Sequence, residues 1–171
     1  SDEESEHCAT LLQWDNIYYQ PPTDSYVDRK PTVRIGLVQW QMRPYASVDD
    51  LFEQVEFFVD SVSDYKSDFI LFPEYFNAPL MARFNDLGEA QSIRKMAQYT
   101  EEIRDRFREL AISYNINIIT GSMPYLKDDS LYNVGFLCRR DGSVDMYEKI
   151  HVTPDEQKCW GLSGGSHIQT F

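Results

Sequence analysis

Apolar and β-branched residues fall in short bursts along the chain, separated by longer stretches in which they recur every three or four positions. The first burst, Val33, Ile35, Leu37 and Val38, predicts a buried strand. Ser47-Val-Asp-Asp50 then reads as a helix N-cap with acidic residues in the first turn, where they meet the positive end of the helix dipole. Val48, Leu51, Phe52, Val55, Phe58, Val59 and Val62 follow at helical spacing and predict one buried face. Phe69 to Phe72 reads as a second buried strand, stopped by Pro73. Residues 74–87 are loop-like. Ile93, Met96, Thr100, Ile103, Phe107 and Leu110 share a second helical face, and Asn115 ends that helix. Ile116 to Thr120 predicts a third strand, closed by Gly121. Tyr132 to Cys138 predicts a fourth and Ser143 to Tyr147 a fifth, with Asp141-Gly142 as the hairpin turn between them.

Strands alternating with amphipathic helices predict an α/β layered domain. Strands one to three should lie parallel or mixed, and the last two antiparallel. Residues 1–31 do not share the pattern. They begin acidic, then carry Trp14, Tyr18, Tyr19 and Pro21-Pro22, which predicts an N-terminal arm or linker before a domain over residues 32–171. Gly161-Leu-Ser-Gly-Gly165 reads as a flexible loop. It lacks the Lys-Ser/Thr of a phosphate-binding loop, so it is not read as a nucleotide site.

Charge and cysteine usage narrow the function classes. The formal net charge of −12 repels phosphate backbones and anionic membrane surfaces, so neither nucleic acid nor membrane is an expected partner. No run approaches the roughly 18–20 apolar residues of a membrane span. The Ser-Asp-Glu-Glu-Ser-Glu start is the opposite of a basic signal peptide, and the expected location is the cytoplasm. Cys8, Cys138 and Cys159 are odd in number and show no CxxC spacing, which fits neither a disulfide framework nor a zinc site. No histidine pairs with a carboxylate at metal-ligand spacing, so no metal is expected.

Three charged residues are candidates for chemistry. Glu74 directly follows a buried strand, and functional groups of α/β sheets gather at the C-terminal ends of strands. Its neighbours Phe72, Pro73, Tyr75 and Phe76 predict a desolvated carboxylate, with a pKa raised toward that of a general base; the plain alternative is a surface glutamate beside aromatics. Lys149 follows the fifth strand. Held near a carboxylate it could donate to a developing oxyanion, and otherwise it is solvated surface. Glu156, seven residues further on, could orient that ammonium, and otherwise it is acidic surface. His151, beside its strand, fits a backbone-capping role better than a base. Cys138 alternates with Val134 and Phe136 and reads as a packing residue. Cys159, next to Lys158, is the local candidate nucleophile, with an incidental role as the simpler reading.

Several of these stretches, in this order, resemble the carbon–nitrogen hydrolases of the nitrilase superfamily. Val33-Arg-Ile-Gly-Leu-Val-Gln39 resembles their first strand, and Phe69-Ile-Leu-Phe-Pro-Glu-Tyr-Phe76 their glutamate motif. Ile119-Thr-Gly-Ser122, Tyr132-Asn133, Asp141-Gly142 and Tyr147-Glu-Lys-Ile-His151 resemble the path into their lysine motif. The resemblance implies an α-β-β-α sandwich and a Glu–Lys–Cys triad. Glu74 would be the base, Lys149 the oxyanion stabiliser and Glu156 the supporting glutamate. The family's cysteine attacks an amide or nitrile carbon, and water hydrolyses the resulting thioester. The resemblance further implies small-molecule amide or nitrile substrates, no organic cofactor or metal, and a homo-oligomer. Acyl transfer to an amine, or a non-catalytic α/β binding module, are the alternatives. Trp14-Asp-Asn-Ile-Tyr-Tyr19 resembles the junction in proteins that fuse an N-acetyltransferase-like domain to this one.

The family's cysteine follows a further strand and is expected beyond Phe171. These 171 residues alone are therefore expected to form the first half of the sandwich, to leave apolar faces open to association, and to turn over no substrate. The site reading requires the Glu74 carboxylate and the Lys149 ammonium to meet within hydrogen-bond reach.

Overall fold

The first long helix, α1 (Val48–Asp64), begins where the capping pattern places it. Ser47 has extended backbone, and its hydroxyl accepts from Asp50 N at 3.1 Å. Val48, Leu51, Phe52, Val55 and Val59 are buried, and Phe58 and Val62 pack against that core. The computed structural model describes residues 32–168 and 170–171. The expectations for residues 1–31 and for Cys8 lie outside the described residues.

The second helical pattern is two helices rather than one. α2 (Glu89–Met96) and α3 (Thr100–Ser113) are joined by a 3-10 turn over Ala97–Tyr99. Its predicted face holds: Ile93, Met96, Thr100, Ile103 and Phe107 are all buried. Phe107 centres an aromatic cluster, with ring centroids 5.1 Å from Phe72, 5.2 Å from Phe52 and 5.4 Å from Phe76. The predicted loop at 74–87 contains a 3-10 helix over Ala78–Phe84, entered through Pro79.

One mixed sheet carries the site. β1 (Ile35–Leu37), β2 (Phe69–Leu71) and β3 (Asn117–Ile119) run parallel, as the helical crossovers predict. β5 (Ser130–Cys138) is the long strand, and both its edges are used. One edge takes β3 and then β4 (Met123–Lys127), both antiparallel. The other takes β6 (Val144–Glu148), antiparallel, and β7 (Leu162–Ser163), parallel. β4 and β7 were not expected from the pattern. Pro124 interrupts the apolar alternation of β4, and its turn to β5 is Asp128-Asp129, both with positive φ, the geometry of a type I′ hairpin.

The two faces of the sheet differ. Ile70, Phe72, Ile118, Thr120, Phe136 and Cys138 lie buried in the core beneath α1 and α3. On the opposite face the β1 expectation fails. Ile35 and Leu37 are 56% and 74% exposed, and only Val38 of the predicted buried set is inside. β1 is an edge strand whose inner side is Gly36, where a Cβ would lie 2.5 Å from Val62 of α1. Its two large side chains therefore point away from the helices. None of the described helices is long and apolar enough to cross a membrane.

Candidate active site

β2 delivers Glu74 to the sheet's C-terminal edge. Phe72 N still bonds Ile119 O at 2.9 Å, and after Pro73 the chain makes an isolated parallel bridge between Glu74 and Ser122. Tyr75 then takes a left-handed φ of 52°, uncommon for a residue with a Cβ. This turn lets Glu74 and Tyr75, adjacent in sequence, both reach into one cluster. Gly121 makes room for it: its φ is +71°, and a Cβ there would lie 2.0 Å from the Pro73 carbonyl oxygen.

Lys149 leaves the end of β6 with its backbone pinned. Its N–H donates to Asn133 O at 2.9 Å, and its carbonyl accepts from Gly165 N at 2.9 Å. Glu156 sits in the first turn of α4 (Pro154–Trp160), a helix absent from the sequence expectation. Its signature was present as Thr153-Pro-Asp-Glu156, a capping box in which Thr153 accepts from Glu156 N and Glu156 accepts from Thr153 N. That box fixes the Glu156 carboxylate toward the sheet.

The three predicted residues meet. Lys149 Nζ donates to Glu74 Oε1 at 3.0 Å, and to Glu156 Oε1 and Oε2 at 2.9 and 3.0 Å. Tyr75 OH also donates to Glu156 Oε1, at 2.9 Å. Asn133 Nδ2 donates to Glu74 Oε1 at 2.8 Å. Oε2 of Glu74 accepts nothing among the described residues. Two carboxylates thus share one ammonium, which leaves the cluster one negative charge in excess.

The two glutamates differ in environment. Glu156 is buried, with 5% of its side chain exposed, whereas Glu74 is 52% exposed. The flanking aromatics therefore do not desolvate Glu74, contrary to expectation: Phe72 and Phe76 turn into the core under Phe107, away from the carboxylate. Burial alone would push Glu156 up. The Thr153 N–H, the Lys149 ammonium and the Tyr75 hydroxyl outweigh it and hold the carboxyl below its usual range. Burial likewise opposes the Lys149 charge, but hydrogen bonds to Glu156 and Glu74 raise its pKa above the ordinary lysine value. Burial first, then the bond to Glu156, pushes the Tyr75 phenol far up, so it acts as a donor only.

A cavity of about 500 Å³ opens at the pair, lined by Leu71, Phe72, Glu74, Ser122, Tyr147 and Lys149 among others. A larger cleft of about 600 Å³ between Arg43, Met81 and Phe84 holds none of the three charged residues. Neither described cysteine bonds to the pair. Cys138 is buried on the helix side near Arg104 O, and burial pushes its thiol up to about 12. Cys159 is exposed on α4. His151 is exposed and has no hydrogen bond or ion pair among the described residues. Tyr75 and Asn133, neither of them a candidate from the sequence, complete the cluster. Asn133 had a signal, since a lone amide in the apolar run of β5 requires a polar partner.

Residues 34–170 match the carbon-nitrogen hydrolase family. The chain belongs to that family. The chain is 38% identical over 164 residues to the probable hydrolase YhcX of Bacillus subtilis, a match that covers 95% of the chain and 32% of that protein. It is 27% identical over 107 residues to a hydrolase in the agr operon of Staphylococcus lugdunensis, covering 61% of the chain and 43% of that protein. Among solved structures it resembles Nit3 of Saccharomyces cerevisiae, a member of branch 10 of the nitrilase superfamily, with a TM-score of 0.62 at 20% identity over 79% of this chain and 49% of that one. It matches a variant of the amidase from Nesterenkonia sp. AN1 in complex with butyramide equally well, with a TM-score of 0.62 at 21% identity and the same shares. These structural likenesses show that the chain shares the α/β fold of those proteins. The chain spans less than half the length of each of these relatives.

Proposed function

We propose that this chain supplies the base and the oxyanion-binding group of a hydrolase that cleaves non-peptide carbon–nitrogen bonds in small amides, carbamoyl compounds or nitriles. The observation that carries this reading is the single ammonium of Lys149 held between Glu74 and Glu156 at the mouth of a cavity. The nucleophile is a cysteine other than Cys138 and Cys159, so residues 32–171 by themselves turn nothing over. Glu74 Oε2, which accepts nothing among the described residues, takes the thiol proton, and the thiolate sulfur bonds to the substrate carbon. For an amide, the carbonyl oxygen becomes an oxyanion facing Lys149 Nζ. Glu74 returns the proton to the departing amine as the carbon–nitrogen bond breaks. Water then gives Glu74 a proton and attacks the thioester, and the thiol leaves with that proton. Glu156 keeps Lys149 charged and aimed. Small aliphatic amides are the first substrates to try, because the Nesterenkonia amidase structure holds butyramide.

The test is ammonia release by the full-length protein from a panel of short amides and nitriles. Glu74→Gln should lower kcat/KM by about 10²- to 10⁴-fold, the contribution of a positioned general base, with folding retained because Glu74 is half exposed. Wild-type turnover by Glu74→Gln would remove Glu74 from that role.

A further inference from the structure

Asn133 touches both members of the pair. Its side-chain Nδ2 donates to Glu74 Oε1 at 2.8 Å, and its backbone carbonyl accepts from Lys149 N at 2.9 Å. It is fully buried in β5, among the apolar residues Leu131 and Val134. Chemistry fixes the orientation of its amide. A carboxylate only accepts, so the NH₂ must face Glu74 and Oδ1 must turn away. There Oδ1 is buried without a partner among the described residues. An orphaned buried carbonyl destabilises a fold, and an apolar residue at this position would not carry that cost. The compensating contact is the one to Glu74.

That contact makes the two oxygens of Glu74 unequal. Oε1 receives both Asn133 Nδ2 and Lys149 Nζ, while Oε2 receives nothing among the described residues. With half the Glu74 side chain exposed, little else restrains it. We propose that Asn133 is a positioning residue, which holds Oε1 against Lys149 and so reserves Oε2 for the proton exchanged with nucleophile and leaving group. This inference rests on the function proposed above.

Asn133→Leu in the full-length protein tests it. Leucine keeps the branching, removes the orphaned Oδ1 and leaves the backbone anchor of Lys149 in place. The expected result is a fall in kcat of about 10- to 100-fold, the worth of one hydrogen bond to a charged group, with KM moving less than about threefold. The thermal midpoint should stay level or rise. Unchanged kcat with a lowered midpoint would make Asn133 a folding residue and overturn the proposal. Should the leucine variant not fold, Asn133→Asp preserves shape but sets an acceptor against an acceptor. Its activity should collapse at neutral pH and recover toward acid, where the introduced carboxyl regains a proton to donate. A wild-type pH profile in that variant would also overturn the proposal. A crystal structure of either variant reads the positioning without any turnover. Glu74 Oε1 should leave Lys149 Nζ, and a carboxylate still 3.0 Å away would refute the inference even if the protein hydrolysed no amide. An inactive wild type would instead count against the proposed function alone.

Discussion

Replacing Glu156 by glutamine keeps the size of the side chain and removes its charge. The native carboxylate accepts from three donors: Lys149 Nζ, Tyr75 OH and Thr153 N. Glutamine offers one carbonyl oxygen and one NH₂. If the oxygen faces Lys149 and Tyr75, the NH₂ meets the Thr153 N–H donor to donor. If it is reversed, the oxygen still accepts from Lys149 Nζ and Thr153 N, but the NH₂ replaces the oxygen that accepted from Tyr75 OH and made the second bond to Lys149. At least one charge-assisted bond goes, at about 1.5–3 kcal/mol, and a donor is left unsatisfied. Removing one partner of a fully buried pair costs about 3–5 kcal/mol. Lys149 is 27% exposed and keeps Glu74, so the cost lies between that of the single bond and that of a fully buried pair. We expect Glu156→Gln to cost about 2–4 kcal/mol, or roughly 6–12 °C in Tm at about 3 °C per kcal/mol.

Denaturant unfolding across pH is the assay. The native state holds the Glu156 pKa down, so its contribution is fully present above the ordinary glutamate pKa of about 4.3 and is lost as pH falls through the depressed native value. The gap between wild type and variant should therefore be flat from about pH 6 to 8 and close in acid. Lys149 has the opposite sign: its contribution is present below the ordinary lysine pKa of about 10.4 and is lost as pH rises through the raised native value. A variant within about 0.5 kcal/mol of wild type at pH 7 would refute the reasoning, because Glu156 would then be no more than a surface residue.

Two further outcomes follow from the same geometry. Gly121→Ala puts a methyl group 2.0 Å from the Pro73 carbonyl oxygen at a φ of +71°, so the strand ends that present Glu74 must separate; a loss of at least about 2 kcal/mol by urea unfolding is expected, together with loss of activity. Cys138, buried and with its thiol pushed up to about 12, should resist alkylation in the native protein while the exposed Cys159 reacts, as peptide mass mapping after a short iodoacetamide pulse would show.

The helical faces were legible because periodicity is local. Val48 to Val59 and Ile93 to Phe107 alternate with polar residues at the pitch of the helix that buries them, and Ser47 marks its own N-cap. β2 and β3 were legible as apolar bursts, and Asp141-Gly142 as a turn. β4, β7 and α4 were not expected, since Pro124 breaks the alternation of one, β7 is two residues long, and the capping box of α4 is a signal of only four residues. Placement at strand ends makes Glu74 and Lys149 candidates, with Glu156 seven residues beyond, and the ordered motifs single out the three together. What they do to one another was left to the tertiary structure. Lys149 and Glu74 stand 75 positions apart, and Tyr75 and Glu156 stand 81 apart. They meet only because β2, β5 and β6 lie in register and the capping box of α4 aims Glu156 back at the sheet. The same long-range geometry left Glu74 half exposed where its aromatic neighbours suggested burial, and brought in Tyr75 and Asn133. Residue types and their spacing select the groups that could do chemistry. Distances, burial and the sharing of one ammonium between two carboxylates arise from contacts that no local pattern encodes.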